Sequence, residues 1–189
     1  MKKLFLIIGA PGSGKTTDAE LIAEQNDNIT HYSTGDMLRA EVASGTSLGK
    51  EIEGYITKGL IVPINIAITT ITNAIKSAPT DVVILDGYPR SIEQMDALEE
   101  FLKGDKYIIL SNIIEVRVSE ETARDRVLGR ARGADDNNEV FDNRMRVYLE
   151  PLKEIQDFYM KKDCLQVISG EGTIEEIVAQ MQAFIISKI

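Results

Sequence analysis

The chain has 189 residues, enough to bury one sizeable core without requiring a second independent domain. Its 43% hydrophobic and 27% charged residues are ordinary for a globular protein and exclude disordered and fibrous classes. A net charge of −9 argues against a general affinity for nucleic acid or an anionic membrane, but not against an anionic substrate in a cleft where basic side chains gather.

Two lysines precede the apolar run of residues 4–8, which Gly9 and Pro11 cut short of the ~7–15 residues a secretory leader needs. That run reads as a buried strand, and residues 15–25 continue as a helix. A weaker strand is expected at 29–33, containing the lone His31, which reads as structural. Helices are expected at 34–44 and 64–77, then a strand at 82–85 ending on Asp86. A helix at 92–102, a strand at 113–118 and a helix at 120–130 follow. Residues 129–139 form the clearest break, with two glycines, two aspartates and two asparagines. A helix at 143–160, a strand at 165–168 and a helix at 173–187 complete the chain. Strands of continuous apolar character alternating with helices predict an α/β, three-layer fold. Its five-stranded parallel sheet is covered on both faces, with ligands beyond the carboxyl ends of the strands. No stretch approaches the ~18 apolar residues of a membrane span. The single Cys164 cannot form an internal disulfide and fits a reducing, cytoplasmic setting; one histidine and no CxxC pair make a zinc site unexpected.

Residues 9–16, Gly-Ala-Pro-Gly-Ser-Gly-Lys-Thr, fit G-x-x-x-x-G-K-[ST] between a predicted strand and a predicted helix. Gly12, Ser13 and Gly14 let backbone N–H groups wrap phosphate oxygens, and the helix start adds a favourable dipole. Lys15 adds a full charge, and Thr16 or Thr17 offers a hydroxyl toward Mg²⁺. Asp86, at the end of its strand, is placed to hold Mg²⁺ directly or through water. Together these features read as a nucleoside triphosphate site.

Seven of the nine arginines fall between 117 and 146. Transfer between two phosphorylated molecules brings many negative charges together and needs such bidentate cations. Arg126 and Arg130, at i and i+4, share one helix face. Arg144 lies beyond the 129–139 break, which reads as an electrostatic lid. The competing reading, a solvated basic face paired with Glu120, Glu121 and Asp125, is favoured for Arg117, Arg124 and Arg146.

Five motifs in order now resemble the adenylate kinase family, in its short-lid form: the cradle; Ser33-Thr-Gly-Asp-Met-Leu-Arg39; Asp86-Gly-Tyr-Pro-Arg90 with Gln94; Arg126-x-x-x-Arg130 with Asp135-Asp136 and Arg144; and the stretch from Pro151 to Tyr159. The resemblance covers nearly the whole chain. It implies one nucleotide kinase domain over 1–189, with an AMP-binding flap at 33–62 and a short lid at 129–136. It implies that Thr34, Arg39, Arg90 and Gln94 hold AMP, walled by the backbone of Leu60, Ile61 and Val62 and by the Gly87-Tyr88-Pro89 turn. Lys15, Arg90, Arg126, Arg130, Arg132 and Arg144 would surround the transferred phosphates, and Gly172 would lie near the ATP adenine. The lid is too short for the zinc-bearing form. Thr16 stands where relatives usually carry glycine, and Gly133 where they tend to carry arginine.

The implied reaction is MgATP + AMP ⇌ 2 ADP, by a monomer, since no heptad or long apolar stripe demands assembly. UMP/CMP kinases share most motifs but tend to carry alanine at the place of Thr34. A P-loop ATPase switch would not need Arg39, Arg90 and Gln94. A binding module without catalysis would not need Lys15, Asp86 and the lid arginines.

Overall fold

The computed structural model of the chain describes residues 1–130 and 137–189, the side chain of Arg130 excepted. Its elements run β1 (Lys2–Gly9), α1 (Lys15–Glu24), β2 (Ile29–Ser33), α2 (Thr34–Ala43), α3 (Ser47–Ile56), α4 (Ile64–Ser77) and β3 (Val82–Asp86). They continue with α5 (Ile92–Gly104), β4 (Ile108–Arg117), α6 (Glu120–Arg130), α7 (Asn138–Lys161), β5 (Leu165–Ser169) and α8 (Ile174–Lys188). The five strands form one sheet in the order β2-β3-β1-β4-β5, with every adjacent pair parallel.

Strand side chains alternate between two cores, which is why the strands read as unbroken apolar runs. Leu4, Leu6, Ile8, Val83 and Leu85 face a core completed by Ile71 and Ile75 of α4, Met95 and Leu98 of α5, and Ile155 and Tyr159 of α7. Phe5, Ile7, Ile84, Ile114 and Val116 face the other, closed by Ala19 and Ile22 of α1 and by Ile177, Met181 and Ile185 of α8. Among the described residues no helix is long and apolar enough to cross a membrane.

Helix starts follow their capping residues. Ser33, Thr46, Ser91, Asn137 and Thr173 each accept a backbone N–H three residues on, and Thr173 forms a capping box with Glu176. Two of these caps mark departures from the sequence expectation. α3 was not expected, because Gly49 and Gly54 are poor helix formers; Thr46 starts it and Ile52 anchors it in the first core. α7 begins at Asn138 rather than 143, because Asn137 caps it and Val140 and Phe141 are already buried. The expected break at 129–139 therefore narrows, with Gly129 and Arg130 in α6 and Asn138 and Glu139 in α7; residues 131–136 lie outside the described chain.

β4 also starts earlier than expected, at Ile108, and its register against β1 slips between Leu4 and Phe5, leaving Ser111 as an extra residue. The buried Asn112 then donates from Nδ2 to the Cys164 carbonyl (3.2 Å), securing the approach to the edge strand β5. Asn112→Val should cost about 1 kcal/mol, since that carbonyl keeps the Ile113 N–H. A urea titration would show it as a lower midpoint with an unchanged slope.

Candidate active site

The loop between β1 and α1 closes tightly enough to present its N–H groups inward. Gly12 has φ +82°, and a Cβ there would sit 2.3 Å from the Ala123 carbonyl oxygen, so no side chain fits. Ser13 N–H bonds the Ala10 carbonyl across the turn, and Lys15 opens α1 with its ammonium on the same carbonyl (3.3 Å). Backbone donors, a helix N-terminus and a lysine thus converge on one small volume.

The parallel register pairs Ile7 with Asp86, so β1 and β3 end level, and Gly87 N–H bonds the Ile7 carbonyl. Asp86 is only 2% exposed and holds three side chains. Thr16 donates to Oδ1 (3.0 Å), His31 Nε2–H donates to Oδ2 (2.6 Å), and Ser33 reaches Oδ1 at 3.5 Å. Thr16 is therefore the cradle hydroxyl that faces the acid. His31, read as structural, orients that acid; nothing in the sequence signalled this, since only the pairing of β2 with β3, Ser33 beside Asp86, brings both onto one face.

The turn after β3 places Arg90. The Tyr88–Pro89 peptide is cis. Arg90 N–H donates to Gln94 Oε1 (2.7 Å) and its Nε to the Gly87 carbonyl (2.7 Å), while the fully buried Tyr88 donates its hydroxyl to the Gln94 carbonyl. Burial lowers the Arg90 pKa from its usual value, Asp86 opposes that, and Arg39 adds to it; the guanidinium still stays charged. Arg39 is engaged by Asp36 Oδ1 (2.5 Å). Two cations that repel each other across a partly dehydrated space form a site for an anion.

A single cleft of about 1140 Å³, the open solvent at its mouth included, joins these groups. Lys15, Thr16 and Asp86 line one end, and Arg39, Arg90 and Arg144 line the other. Leu60 and Ile61 lie along the wall, and Gly12, Gly87 and Pro89 also border it. Thr34, Val62, Tyr88 and Gln94, expected at the same acceptor, are buried and do not line it. Thr34 Oγ1 has no hydrogen-bond partner among the described residues. Arg144 is carried by α7, which is fixed by Gln156 on the buried Glu115 (2.8 Å) and by Asn143 on the Lys58 carbonyl (3.2 Å).

On the opposite side of the cradle, Arg126 donates from Nη1 to the Ser13 carbonyl (3.4 Å) and from Nη2 to the Gly170 carbonyl (3.1 Å). Gly170 was not singled out from sequence, yet a Cβ there would meet Val118, Val116 and the Ser13 carbonyl oxygen at 2.7, 2.8 and 3.2 Å. Gly172, expected near an adenine, lies between Gly170 and the first turn of α8. Arg124 pairs with Glu120 and Asp142, and Arg146 with Glu150, as solvated faces do, whereas Arg117 pairs with the buried Glu115. The side chain of Arg130, and Arg132 with Gly133, Asp135 and Asp136, fall outside the described structure.

The fit to Mg²⁺ follows from the donor set. One buried carboxylate with an adjoining hydroxyl supplies hard oxygen atoms beside a phosphate cradle, leaving further positions to nucleotide oxygens and water. Among the described residues no three His, Cys, Asp or Glu side chains gather as a metal group.

The sequence profile of the adenylate kinase family matches residues 7–164. The chain is 65% identical to an adenylate kinase of Wolinella succinogenes over the full length of both proteins. It is 65% identical to an adenylate kinase of Nautilia profundicola, across 100% of this chain and 98% of that protein. With an adenylate kinase of Campylobacter lari it shares 62% identity over 98% of this chain and 97% of the relative.

Asp18, in the first turn of α1, is 2% exposed, and its Oδ2 has no hydrogen-bond partner among the described residues. Burial raises its pKa from 3.8 to about 6, while Arg126 and Lys15 pull it back. A carboxyl whose folded pKa is raised favours folding below its unfolded pKa, and that contribution fades as pH rises through the folded value. Asp18→Asn should therefore exceed the parent in stability at about pH 8 by roughly 1–3 kcal/mol. Melting curves at several pH values should show the gap narrowing from pH 6 toward 4.

Proposed function

The chain belongs to the adenylate kinase family, and we infer from that membership, together with the two-ended cleft, that it transfers a phosphoryl group reversibly between MgATP and AMP, giving two ADP. It is a nucleoside monophosphate kinase, and its reaction balances the adenine nucleotides. The observation that carries the residue assignments is the junction of a phosphate cradle with a paired-arginine anion site in one cleft. A hydrolase needs the first end only.

At the donor end, the N–H groups of Gly12 and Gly14 and the ammonium of Lys15 bind the ATP phosphates, with Ser13 holding the turn through the Ala10 carbonyl and Thr16 and Thr17 at the start of α1. Mg²⁺, bound with the nucleotide, would be held through Thr16 and Asp86 and would neutralise phosphate charge. Arg126 and the Gly170–Gly172 backbone border the adenosine. At the acceptor end, Arg39 and Arg90 hold the AMP phosphate. Gly87 and Pro89 turn the chain beside it, and Leu60 and Ile61 flank the base, backed by Val62, Thr34, Tyr88 and Gln94. Gln94 uses Oε1 on the Arg90 N–H, so its amide N–H groups are oriented as donors, matching an adenine ring nitrogen better than a protonated guanine one. The α2–α3 hairpin corresponds to the flap expected over 33–62.

No covalent enzyme intermediate and no strong base are required, because an AMP phosphate oxygen is already an anionic nucleophile. The protein's work is alignment and charge stabilisation by Lys15, Arg90 and Arg144. Arg130 and Arg132 join this set on sequence grounds. So does the role of residues 129–136 in covering the site and excluding water.

The test is ADP formation from MgATP supplied in turn with AMP, CMP, UMP, GMP or no acceptor. ADP should form rapidly with AMP alone, and Arg90→Ala should cut kcat/KM about 10³-fold. Preference for UMP or CMP would overturn the acceptor assignment and keep the fold. Equal ADP release with and without any acceptor would mean hydrolysis and would sink the kinase reading.

A further inference from the structure

The loop between β5 and α8 and the start of α6 hold each other by two contacts of opposite polarity. Glu171 accepts the backbone N–H of Ser119 at Oε1 (2.5 Å) and the hydroxyl of Thr122 at Oε2 (2.9 Å). Ser119 and Thr122 also bond one another, so the carboxylate sits on a helix start whose free N–H groups and dipole favour an anion. Those contacts hold the Glu171 carboxyl below its usual pKa. One turn further along α6, Arg126 reaches back in the other direction, to the carbonyl oxygen of Gly170 and to that of Ser13 in the cradle.

Three segments far apart in sequence thus meet at one junction: the cradle through Ser13, α6 through Arg126, and the β5–α8 loop through Gly170 and Glu171. The missing Cβ at 170 lets the loop close on Val116, Val118 and the Ser13 carbonyl, but a missing side chain does not fix where the loop lies. Glu171 does, because its two acceptor oxygens tie the next residue of the loop to the helix that carries Arg126. The donor-side reading above places the ATP adenosine against Arg126 and this loop.

We propose that Glu171 is a positioning residue of the donor nucleotide site, setting the Gly170–Gly172 backbone against Arg126 so that the surface presented to ATP is formed before ATP arrives. It rests on that donor-side reading. Glu171 touches neither the acceptor arginines nor Lys15, so its effect is confined to one substrate. A preformed loop spares the ordering cost that a loose one would add to ATP binding.

Calorimetric titrations of MgATP and of AMP, each alone, separate the two sites in the parent, Glu171→Ala, Glu171→Gln, Arg126→Ala and the double variant Glu171→Ala/Arg126→Ala. Removing both acceptor oxygens in Glu171→Ala should raise the Kd for MgATP about three- to tenfold and shift that for AMP by less than about twofold. Glu171→Gln, which keeps one acceptor oxygen, should fall between. In the Arg126→Ala background the Glu171→Ala effect should largely vanish, because the two residues act through one contact. An unchanged Kd for MgATP in Glu171→Ala, or an equal loss for both nucleotides, would overturn the inference while Arg126→Ala still weakened MgATP. If Arg126→Ala itself left MgATP binding intact, the donor-side placement would fail, and this inference with it. Glu171 is exposed, so an unchanged melting temperature would confirm that the variants are folded.

Discussion

Phosphate oxygens can be surrounded by backbone donors only where the chain comes into contact distance without side chains intervening, and the rest of this structure serves that condition. The cradle hangs from β1, and β1 is held on both sides by β3 and β4. Because Ile7 pairs with Asp86, the end of β3 reaches the same level as the loop, and the acid meets Thr16 there. A one-residue slip would turn Asp86 to the opposite face of the sheet and leave its charge in the first core. That slip is prevented by the alternation of Leu4, Leu6 and Ile8 against Phe5 and Ile7, each set fitted to its own core. Precision at the phosphate site is thus a consequence of two-sided burial.

Charge is distributed by the same logic. The chain is acidic overall, so a cation gains nothing at the cleft if a carboxylate has already neutralised it. Arg117, Arg124 and Arg146 are paired with carboxylates, and Arg124 also lies over the Phe141 ring at 4.5 Å. Arg90 and Arg126 instead direct hydrogen bonds to the carbonyls of Gly87, Ser13 and Gly170. A carbonyl fixes a guanidinium's orientation without removing its net charge, leaving the field available to an anion. Arg39 is intermediate: its partner Asp36 is more than a third exposed, and such pairs are easily displaced.

Much of this was legible in the sequence because it is local. The cradle, its flanking strand and helix, and the Asp86-Gly-Tyr-Pro-Arg90 turn are each contiguous, and the apolar strands announced a sheet covered on both faces. What escaped depends on packing between distant segments. α3 is short, carries two glycines that disfavour a helix, and is held by a cap and by Ile52. Asn137 and Asn138 look like loop residues until Val140 is seen to be buried and Phe141 to be packed with Ala123 and Val127. His31 acquires its role only from the pairing of β2 with β3, and Gly170 only from the approach of β5–α8 to Ser13. Neither carries a one-dimensional signal, since an isolated histidine in a strand and a glycine after one are both commonplace.

The polar atoms that burial leaves unpartnered among the described residues are unevenly placed. Ser13 Oγ is in the cradle, Asp18 Oδ2 is in the first turn behind it, and Thr34 Oγ1 lies behind the acceptor wall. Elsewhere only Glu99 Oε1 and Tyr159 Oη are in this position. Three buried orphans around one cleft represent free energy withheld from folding, since each such group costs about 1–3 kcal/mol unless something bonds to it. The apolar cores on either side of the sheet supply the compensation. A site assembled before its ligand must hold donors, acceptors and like charges at positions that folding alone would not choose, and local conflict of this kind is expected where function rather than stability sets the residue.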